Sequence, residues 1–165
     1  MTAAHGDGDG PGEPARPART SGTGSGPRSV RPVVGGRSVA RERAVHLLYE
    51  AEMKGDGGEA VLGAQVLAAD PYTAELVAGV ESHRPEIDSL ISDLAPEGWA
   101  VARMATLDLA VLRIACFELA HRLDVPSGVV LSEAVALAEQ YGTDESPRFV
   151  NGLLAAAARR LRPGA

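Results

Sequence analysis

The sequence predicts an all-α protein with one folded domain of about seven helices. Apolar residues recur every three or four positions along most of the chain, which is the period of a helix face. The longest such face runs from Tyr72 to Leu94. Alanine is abundant, and no segment alternates apolar and polar residues as a half-buried strand does. These observations favour helices throughout the domain.

The first 36 residues differ in composition from the rest of the chain. They hold nine of the 19 glycines and five of the 11 prolines, and they lack Leu, Ile, Phe, Trp, Tyr and Cys. Such a segment cannot bury enough apolar surface to offset the entropy lost on ordering. It has neither the apolar stretch of a signal peptide nor the basic pattern of a transit peptide. We therefore predict a disordered Gly/Pro-rich tail over 1–36 and a folded domain over 37–165.

Glycine, proline and a capping residue predict where the first helices begin and end. A helix over about 39–54 should end at a glycine-rich segment, and a weaker one should follow over 59–69. Asp70 is a suitable cap and Pro71 a favoured first residue, so a third helix should begin there. Pro85 lies inside the long apolar face and should break that helix near Arg84.

A short helix is expected over 99–105, followed by a central helix over 107–122. The central segment is apolar nearly all round, which indicates packing on several sides. Glu118 and Arg122 are four residues apart and are expected to pair. The sixth helix should span 126–141 and stop at Gly142. The last should span 147–161, with Ser146 as its N-cap.

The charge balance limits what the domain can bind. The chain has a net charge of −6, and its tail carries four arginines against three acids, so the domain carries −7. Affinity for nucleic acid comes largely from neutralised phosphates, so an acidic domain needs a local basic patch or a basic partner. No apolar run reaches the roughly 18 residues that span a bilayer. The single cysteine, Cys116, should be a buried apolar residue of a cytoplasmic protein.

Signals for an enzyme are weak. The glycine-rich segment 22–26 follows no strand, so it is not expected to bind phosphate. The segment 6–10 lacks the closing glutamate of a calcium loop. The four histidines are far apart, and no catalytic arrangement is evident. We expect no enzymatic activity, cofactor or metal.

Two basic places are candidates for binding a polyanion. Arg37, Arg41 and Arg43 lie at the start of the first helix, and Arg37 and Arg41 share a face that continues its buried stripe. We expect these side chains to project past the end of the core. The alternative is an ordinary solvated helix entry.

The second basic place is the start of the last helix. Helix N-termini attract anions, and Arg148 adds a positive charge there. Phe149 is suited to stacking on a base and Asn151 to contacting a base edge. The alternative is that Phe149 belongs to the core and Asn151 is an ordinary surface residue. We expect the arginines of both places to gather on one surface beside this helix start.

Three further residues have two interpretations each. Trp99 and Tyr141 are more often core residues than platforms for bases. Asp108 stands among apolar residues at the start of the central helix. It is either a first-turn acid stabilised by the helix dipole or a contact for a protein partner.

Four segments carry a resemblance to a known family. They are ARERAVHLLYEAE at 40–52, LAVLRIACFEL at 109–119, DVPSGVVLSEAVALAEQYG at 124–142 and DESPRFVNGLL at 144–154. In this order and spacing, they make roughly residues 37–160 resemble the NusB family of bacterial transcription antitermination factors.

The resemblance implies a helical fold of two packed halves and an RNA-binding function without catalysis. Members of this family pair with NusE, the small-subunit ribosomal protein, and the pair recognises the boxA element of nascent RNA. That complex joins RNA polymerase and favours read-through, especially of ribosomal RNA operons. The resemblance matches Asp108 to an acid on the surface that faces NusE. With the basic places above, the predicted RNA contacts are Arg37, Arg41, Arg43, Glu145, Arg148, Phe149 and Asn151.

Two other functions are compatible with the sequence. Ser38 and Val39 stand where many members of the family have basic residues. A helical interaction module that binds NusE or forms a homodimer, with little RNA affinity, is therefore the main alternative. NusB-like domains also precede RNA cytosine methyltransferases, but we expect no such activity because the chain ends at Ala165.

Overall fold

The computed structural model describes residues 36–65 and 68–165, and within them it contains seven α-helices and no strand. This confirms the all-α prediction. The helices α1 to α7 are Gly36–Lys54, Gly58–Gly63, Pro71–Ser82, Arg84–Leu94, Thr106–His121, Ser127–Tyr141 and Ser146–Leu161. The predicted tail over 1–36 lies outside the described residues, except for Gly36, the first residue of α1. The segments 6–10 and 22–26 also lie outside them.

The helices form two groups around a shared central helix. In the first group α1, α2 and α3 pack against one another, and in the second α6 packs against α7. Helix α5 contacts α1 and α3 on one side and α6 and α7 on the other, while α4 contacts α5 and α7. The two packed halves implied by the resemblance are therefore confirmed.

Helix α5 is the centre of the core. Every residue from Asp108 to Leu119 is buried, as its apolar character on all sides predicts. Each fully buried Leu or Ile of such a helix contributes roughly 1.5–3 kcal/mol relative to an exposed one. Arg113 is buried as well, and its guanidinium donates to both carboxylate oxygens of Asp88, at 2.8 and 2.9 Å. This pair fastens α4 to α5.

The break between α3 and α4 lies where the sequence predicts it. The Asp70 carboxylate accepts a hydrogen bond from the Thr73 backbone N–H at 3.0 Å, and Pro71 opens α3. Helix α3 ends at Ser82, and α4 starts at Arg84 with Pro85 in its first turn. A proline has no N–H to donate and clashes with the preceding turn, so the long apolar face divides into two helices.

Three predicted helix boundaries are wrong. Helix α1 begins three residues earlier than expected, and α2 ends at Gly63 instead of reaching residue 69. The segment 99–105 forms a single 3-10 turn, Val101–Arg103, in place of a helix. The segment 99–105 is short and mostly exposed, so few tertiary contacts stabilise it as a helix.

None of the helices in the described ranges combines the length and the apolar character that crossing a bilayer requires. Cys116 is buried in α5, as expected. Its burial raises the pKa of the thiol to about 12. The thiol is therefore a protonated core group near neutral pH, where it is unreactive.

Candidate functional site

A groove of about 850 Å³ lies between the start of α5, the start of α7 and the segment that joins α4 to α5. Both apolar and charged side chains face it. The residues that line it are Leu94, Pro96, Trp99, Ala105, Asp108, Thr143, Asp144, Glu145, Ser146, Arg148, Phe149, Gly152 and Leu153. It therefore brings together Asp108, the predicted partner contact, and three of the predicted RNA contacts.

Asp108 has one unsatisfied carboxylate oxygen in this groove. The residue lies in the first turn of α5 and is only 8% exposed. Its Oδ2 accepts a hydrogen bond from the Ser146 hydroxyl at 3.0 Å, whereas its Oδ1 is buried without a partner among the described residues. A buried acceptor without a donor is costly, so a donor from a ligand that displaces the wall of the groove and reaches this atom would remove that cost.

Ser146 joins the turn before α7 to α5. Its hydroxyl accepts from the Thr143 backbone N–H at 2.9 Å and donates to Asp108. The predicted N-cap role is wrong, because Ser146 is the first residue of α7 and its side chain binds the turn instead. Gly142 is required here, since a Cβ on it would lie 2.6 Å from Ser146 Cβ.

Trp99 and Phe149 form an aromatic wall of the groove. Their rings stack with centroids 5.0 Å apart at an interplanar angle of 27°. Trp99 is 50% exposed, so the expectation that it belongs to the core is wrong. Phe149 is half-buried and packs against the core, so it has features of both interpretations. A partly exposed aromatic pair offers a surface on which a base can stack.

Arg148, Glu145 and Asn151 are exposed around the start of α7. The side chains of Arg148 and Asn151 make no ion pair or hydrogen bond with any of the residues 36–65 and 68–165. Arg148 and Glu145 line the groove, and Asn151 lies one turn further along the helix. These three residues therefore form an exposed polar surface beside the aromatic pair.

Arg41 does not project past the core, so the expectation for it is wrong. Its side chain is only 4% exposed. The guanidinium donates three hydrogen bonds, at 2.8 to 3.0 Å, to the carboxylate of Glu118, which also accepts from the Tyr72 hydroxyl. Burial opposes the charge, but the bonds to Glu118 outweigh it and raise the pKa of Arg41. Arg41 continues the inward stripe of α1, and that stripe faces Glu118.

The predicted pairing of Glu118 with Arg122 is also wrong. The Arg122 guanidinium instead binds Asp124, at 2.9 and 3.0 Å, and Glu75, at 2.6 Å. Hydrogen bonding from Arg122 lowers the pKa of Asp124, and a further bond from Arg37 acts in the same direction. Glu118 is not available to Arg122 because Arg41 holds its carboxylate.

Arg37 is exposed but has intramolecular partners. Its guanidinium lies 3.2 Å from Asp124 and 5.0 Å from the centre of the Tyr72 ring. The same ring has Arg122 at 4.9 Å and Arg41 at 5.7 Å. These cation–π contacts hold the three guanidinium groups together. Arg43 is half-buried on the next turn of α1.

The two basic places lie at opposite ends of α5. Arg41 binds Glu118, near the C-terminus of α5, whereas the groove with Arg148 contains Asp108, in its first turn. These two acids are ten positions apart on the helix, a distance of about 15 Å. The expectation that all the arginines gather on one surface is therefore wrong.

The sequence did not predict that Trp99 lines this groove or that Ser146 donates a hydrogen bond to Asp108 within it. Pro96 and Gly98, which favour turns, both precede Trp99 and indicate that its segment is irregular. The contact between Ser146 and Asp108 joins residues 38 positions apart, and no local pattern encodes it.

Comparison with known proteins shows one family. The model of the NusB family matches residues 38–159. A relative from Saccharopolyspora erythraea, described as transcription antitermination protein NusB, is 46% identical over 127 residues, which cover 73% of this chain and 85% of that protein. A second, from Arthrobacter sp., is 45% identical over 122 residues, 72% of this chain and 89% of that protein.

Solved structures agree with the sequence comparison. NusB from T. maritima superimposes with a TM-score of 0.70 at 29% identity, covering 77% of this chain and 93% of that one. A structure of the antitermination factors NusB and NusE in complex with double-stranded RNA contains a chain with a TM-score of 0.63 at 26% identity. That match covers 75% of this chain and 96% of the other.

Proposed function

The chain belongs to the NusB family, and from this premise we propose that it is a transcription antitermination factor. It binds boxA-type single-stranded RNA together with NusE and promotes read-through by RNA polymerase, notably of ribosomal RNA operons. It acts in the cytoplasm by binding alone, without catalysis or a cofactor. The similarity to a NusB chain solved with NusE and RNA supports this assignment.

One observation carries the proposal. The groove at the start of α7 combines an unsatisfied buried carboxylate, a partly exposed aromatic pair and an arginine without an ion pair among the described residues. The carboxylate suits a cationic side chain of a protein, and the other two suit a base and a phosphate. A basic ribosomal protein and an RNA strand can therefore meet in the same groove.

Each residue of this surface has a role in the proposal. Asp108 accepts a hydrogen bond from a lysine or arginine of NusE. Arg148 neutralises a phosphate, Phe149 with Trp99 provides a stacking surface, and Asn151 contacts a base edge. Glu145 lies at the groove mouth and restricts which part of the RNA can approach, because its charge repels phosphates.

The arginines of α1 form a separate contact in this proposal. Arg37 and Arg43 lie at the other end of α5 and bind phosphates of the same RNA only if the strand extends about 15 Å from the groove. Arg41 is not a phosphate ligand here, because Glu118 occupies its guanidinium. If Arg37, Arg43 and Arg148 each neutralise one phosphate, these three together should contribute about −2 to the log–log salt slope, at about −0.7 per phosphate.

The test is a fluorescence-anisotropy titration of a boxA-like oligonucleotide and a scrambled control, at two salt concentrations, with and without NusE. We expect NusE to strengthen binding of the boxA-like RNA most. Arg148→Ala should weaken binding of both RNAs, whereas Asn151→Ala should reduce the preference between them. Equal binding of the two RNAs by the wild-type protein with NusE would overturn the proposal.

A helical interaction module remains the second candidate, because α1 exposes apolar side chains. Val39, Tyr49 and Met53 are 64%, 39% and 63% exposed on this helix. Tyr49 and Met53 are four residues apart and therefore adjacent on the helix, so they can form part of a contact with another protein or a second copy of the chain. If NusE binds tightly but RNA does not strengthen its binding, this function is favoured instead.

A further inference from the structure

Most basic side chains of the described chain are neutralised internally. Arg37, Arg41, Arg84, Arg113, Arg122, Arg160 and Lys54 have ion pairs, and Arg162 donates to backbone carbonyls. The guanidinium groups of three arginines make no ion pair or hydrogen bond within residues 36–65 and 68–165: Arg103, Arg148 and Arg159. In a protein with a net charge of −6, such guanidinium groups can bind a polyanion without giving up an internal partner.

Two of the three lie on one face of α7. Arg148 and Arg159 are 11 residues apart, which is close to three full turns, or about 16 Å along the helix. Gly152 and Ala155 fall between them on the same face. Arg160, by contrast, is rotated about 100° from Arg159 and pairs with Asp93 of α4 at 3.2 Å.

Small residues occupy the face of α7 between the two arginines. Gly152 is exposed, and a Cβ built on it would meet nothing within 4 Å. Ala155 adds only a methyl group. A phosphate backbone can therefore approach the helix closely at Gly152, between the two guanidinium groups.

We propose that the RNA strand continues from the groove along this face of α7 and that Arg159 binds one of its phosphates. The inference rests on the proposed function, because Arg148 already belongs to the proposed RNA site. That continuity favours RNA over an acidic protein as the occupant. At 3.4 Å per stacked nucleotide, about five nucleotides separate the phosphates at Arg148 and Arg159.

The test compares Arg159→Ala with Arg160→Ala in the full chain with NusE. The two substitutions remove the same charge from adjacent residues of one helix. We expect Arg159→Ala to reduce the magnitude of the log–log salt slope by about 0.7 and Arg160→Ala to leave it unchanged. With RNAs shortened by about five nucleotides at one end or the other, Arg159→Ala should lose its effect for one of the two.

A second pair of variants tests the path between the arginines. Gly152→Glu places a negative charge on this face, and Gly63→Glu places the same charge on α2, where a Cβ also meets nothing within 4 Å. We expect only Gly152→Glu to weaken RNA binding. Because Gly152 also lines the groove, this loss supports the α7 path only if Arg159→Ala weakens binding as well.

The outcomes separate this inference from the proposed function. If Arg148→Ala weakens RNA binding while Arg159→Ala behaves like Arg160→Ala, the α7 path is wrong and the groove assignment stands. Equal losses for Arg159→Ala and Arg160→Ala indicate a general charge effect and overturn the path too. If the wild-type protein with NusE does not prefer the boxA-like RNA, the proposed function itself fails.

Discussion

Arg41 and Glu118 form a buried ion pair that joins α1 to α5 across 77 positions of sequence. The Arg41 Nε lies 3.0 Å from each carboxylate oxygen of Glu118, and its Nη2 lies 2.8 Å from Oε1. Tyr72 of α3 donates to the same carboxylate, and its own pKa rises to about 12 through burial and this bond. Three helices therefore meet at one carboxylate.

Replacing Arg41 by alanine should destabilise the fold by about 3–5 kcal/mol, because it leaves the Glu118 charge buried without its partner. Urea denaturation measures this change. Replacing Arg41 and Glu118 together by leucine should recover most of the loss, since no uncompensated charge remains. A midpoint for Arg41→Ala equal to that of the wild type would contradict the structural role and restore Arg41 as a candidate phosphate ligand.

Arg162→Ala should destabilise the protein by about 2–3 kcal/mol. The Arg162 guanidinium donates to the carbonyls of Glu118, Leu119, Arg122 and Val125, at 2.7 to 3.0 Å. It thereby caps the C-terminus of α5, where a cation is favoured. Arg160→Ala is the matched control, because its exposed pair with Asp93 should change stability by no more than about 0.5 kcal/mol. Equal denaturation midpoints for the two variants would argue against the cap.

The same substitution at two glycines should have opposite effects on stability. A Cβ on Gly79 of α3 would lie 2.2 Å from Cζ of the buried Phe117, so Gly79→Ala should cost about 1–3 kcal/mol through overpacking. Gly152→Ala should stabilise α7 by about 0.5–1 kcal/mol, since nothing opposes the added methyl group. Thermal unfolding of both variants measures these changes. Two shifts of the same sign would be inconsistent with the close approach of α3 to α5.

Stability should fall as the pH rises above about 9, in part because of Cys116. The unfolded thiol ionises near pH 8.5, whereas burial raises the pKa of the folded thiol to about 12. Between these values the folded state holds more protons than the unfolded state, so stability decreases by up to about 1.4 kcal/mol per pH unit. Urea denaturation at pH 8, 9 and 10 should show a flatter dependence for Cys116→Ala. Parallel curves for the variant and the wild type would refute this origin.

Much of the fold follows from local signals. Asp70 and Pro71 start α3, and Pro85 separates α4 from it, because capping and the missing proline N–H act within one helical turn. Helix α5 could be identified as central because its apolar residues cover all its faces. The segment around Trp99 is not the predicted helix, because a few apolar residues at helical spacing form a helix only where tertiary packing stabilises it.

The candidate site was only partly predictable. Arg148 and Asn151 could be placed at an exposed helix start from the order of Ser146, Pro147 and the apolar residues that follow. The direction of the Arg41 side chain could not be predicted. A residue on the core-facing stripe of a helix either extends beyond the edge of the core or packs against a partner on another helix. That partner, Glu118, is specified by no local pattern.

The sequence by itself determined the helical class, the α3–α4 break, the family and the residues at the start of α7, because each depends on neighbours within a few positions or on motifs in a fixed order. Only the tertiary structure decided which arginines are available to a ligand. The charge of a guanidinium is encoded locally, but its neutralisation depends on carboxylates that folding brings from distant helices. Packing thus buries Arg41 against Glu118 and leaves Arg148 and Arg159 exposed on α7.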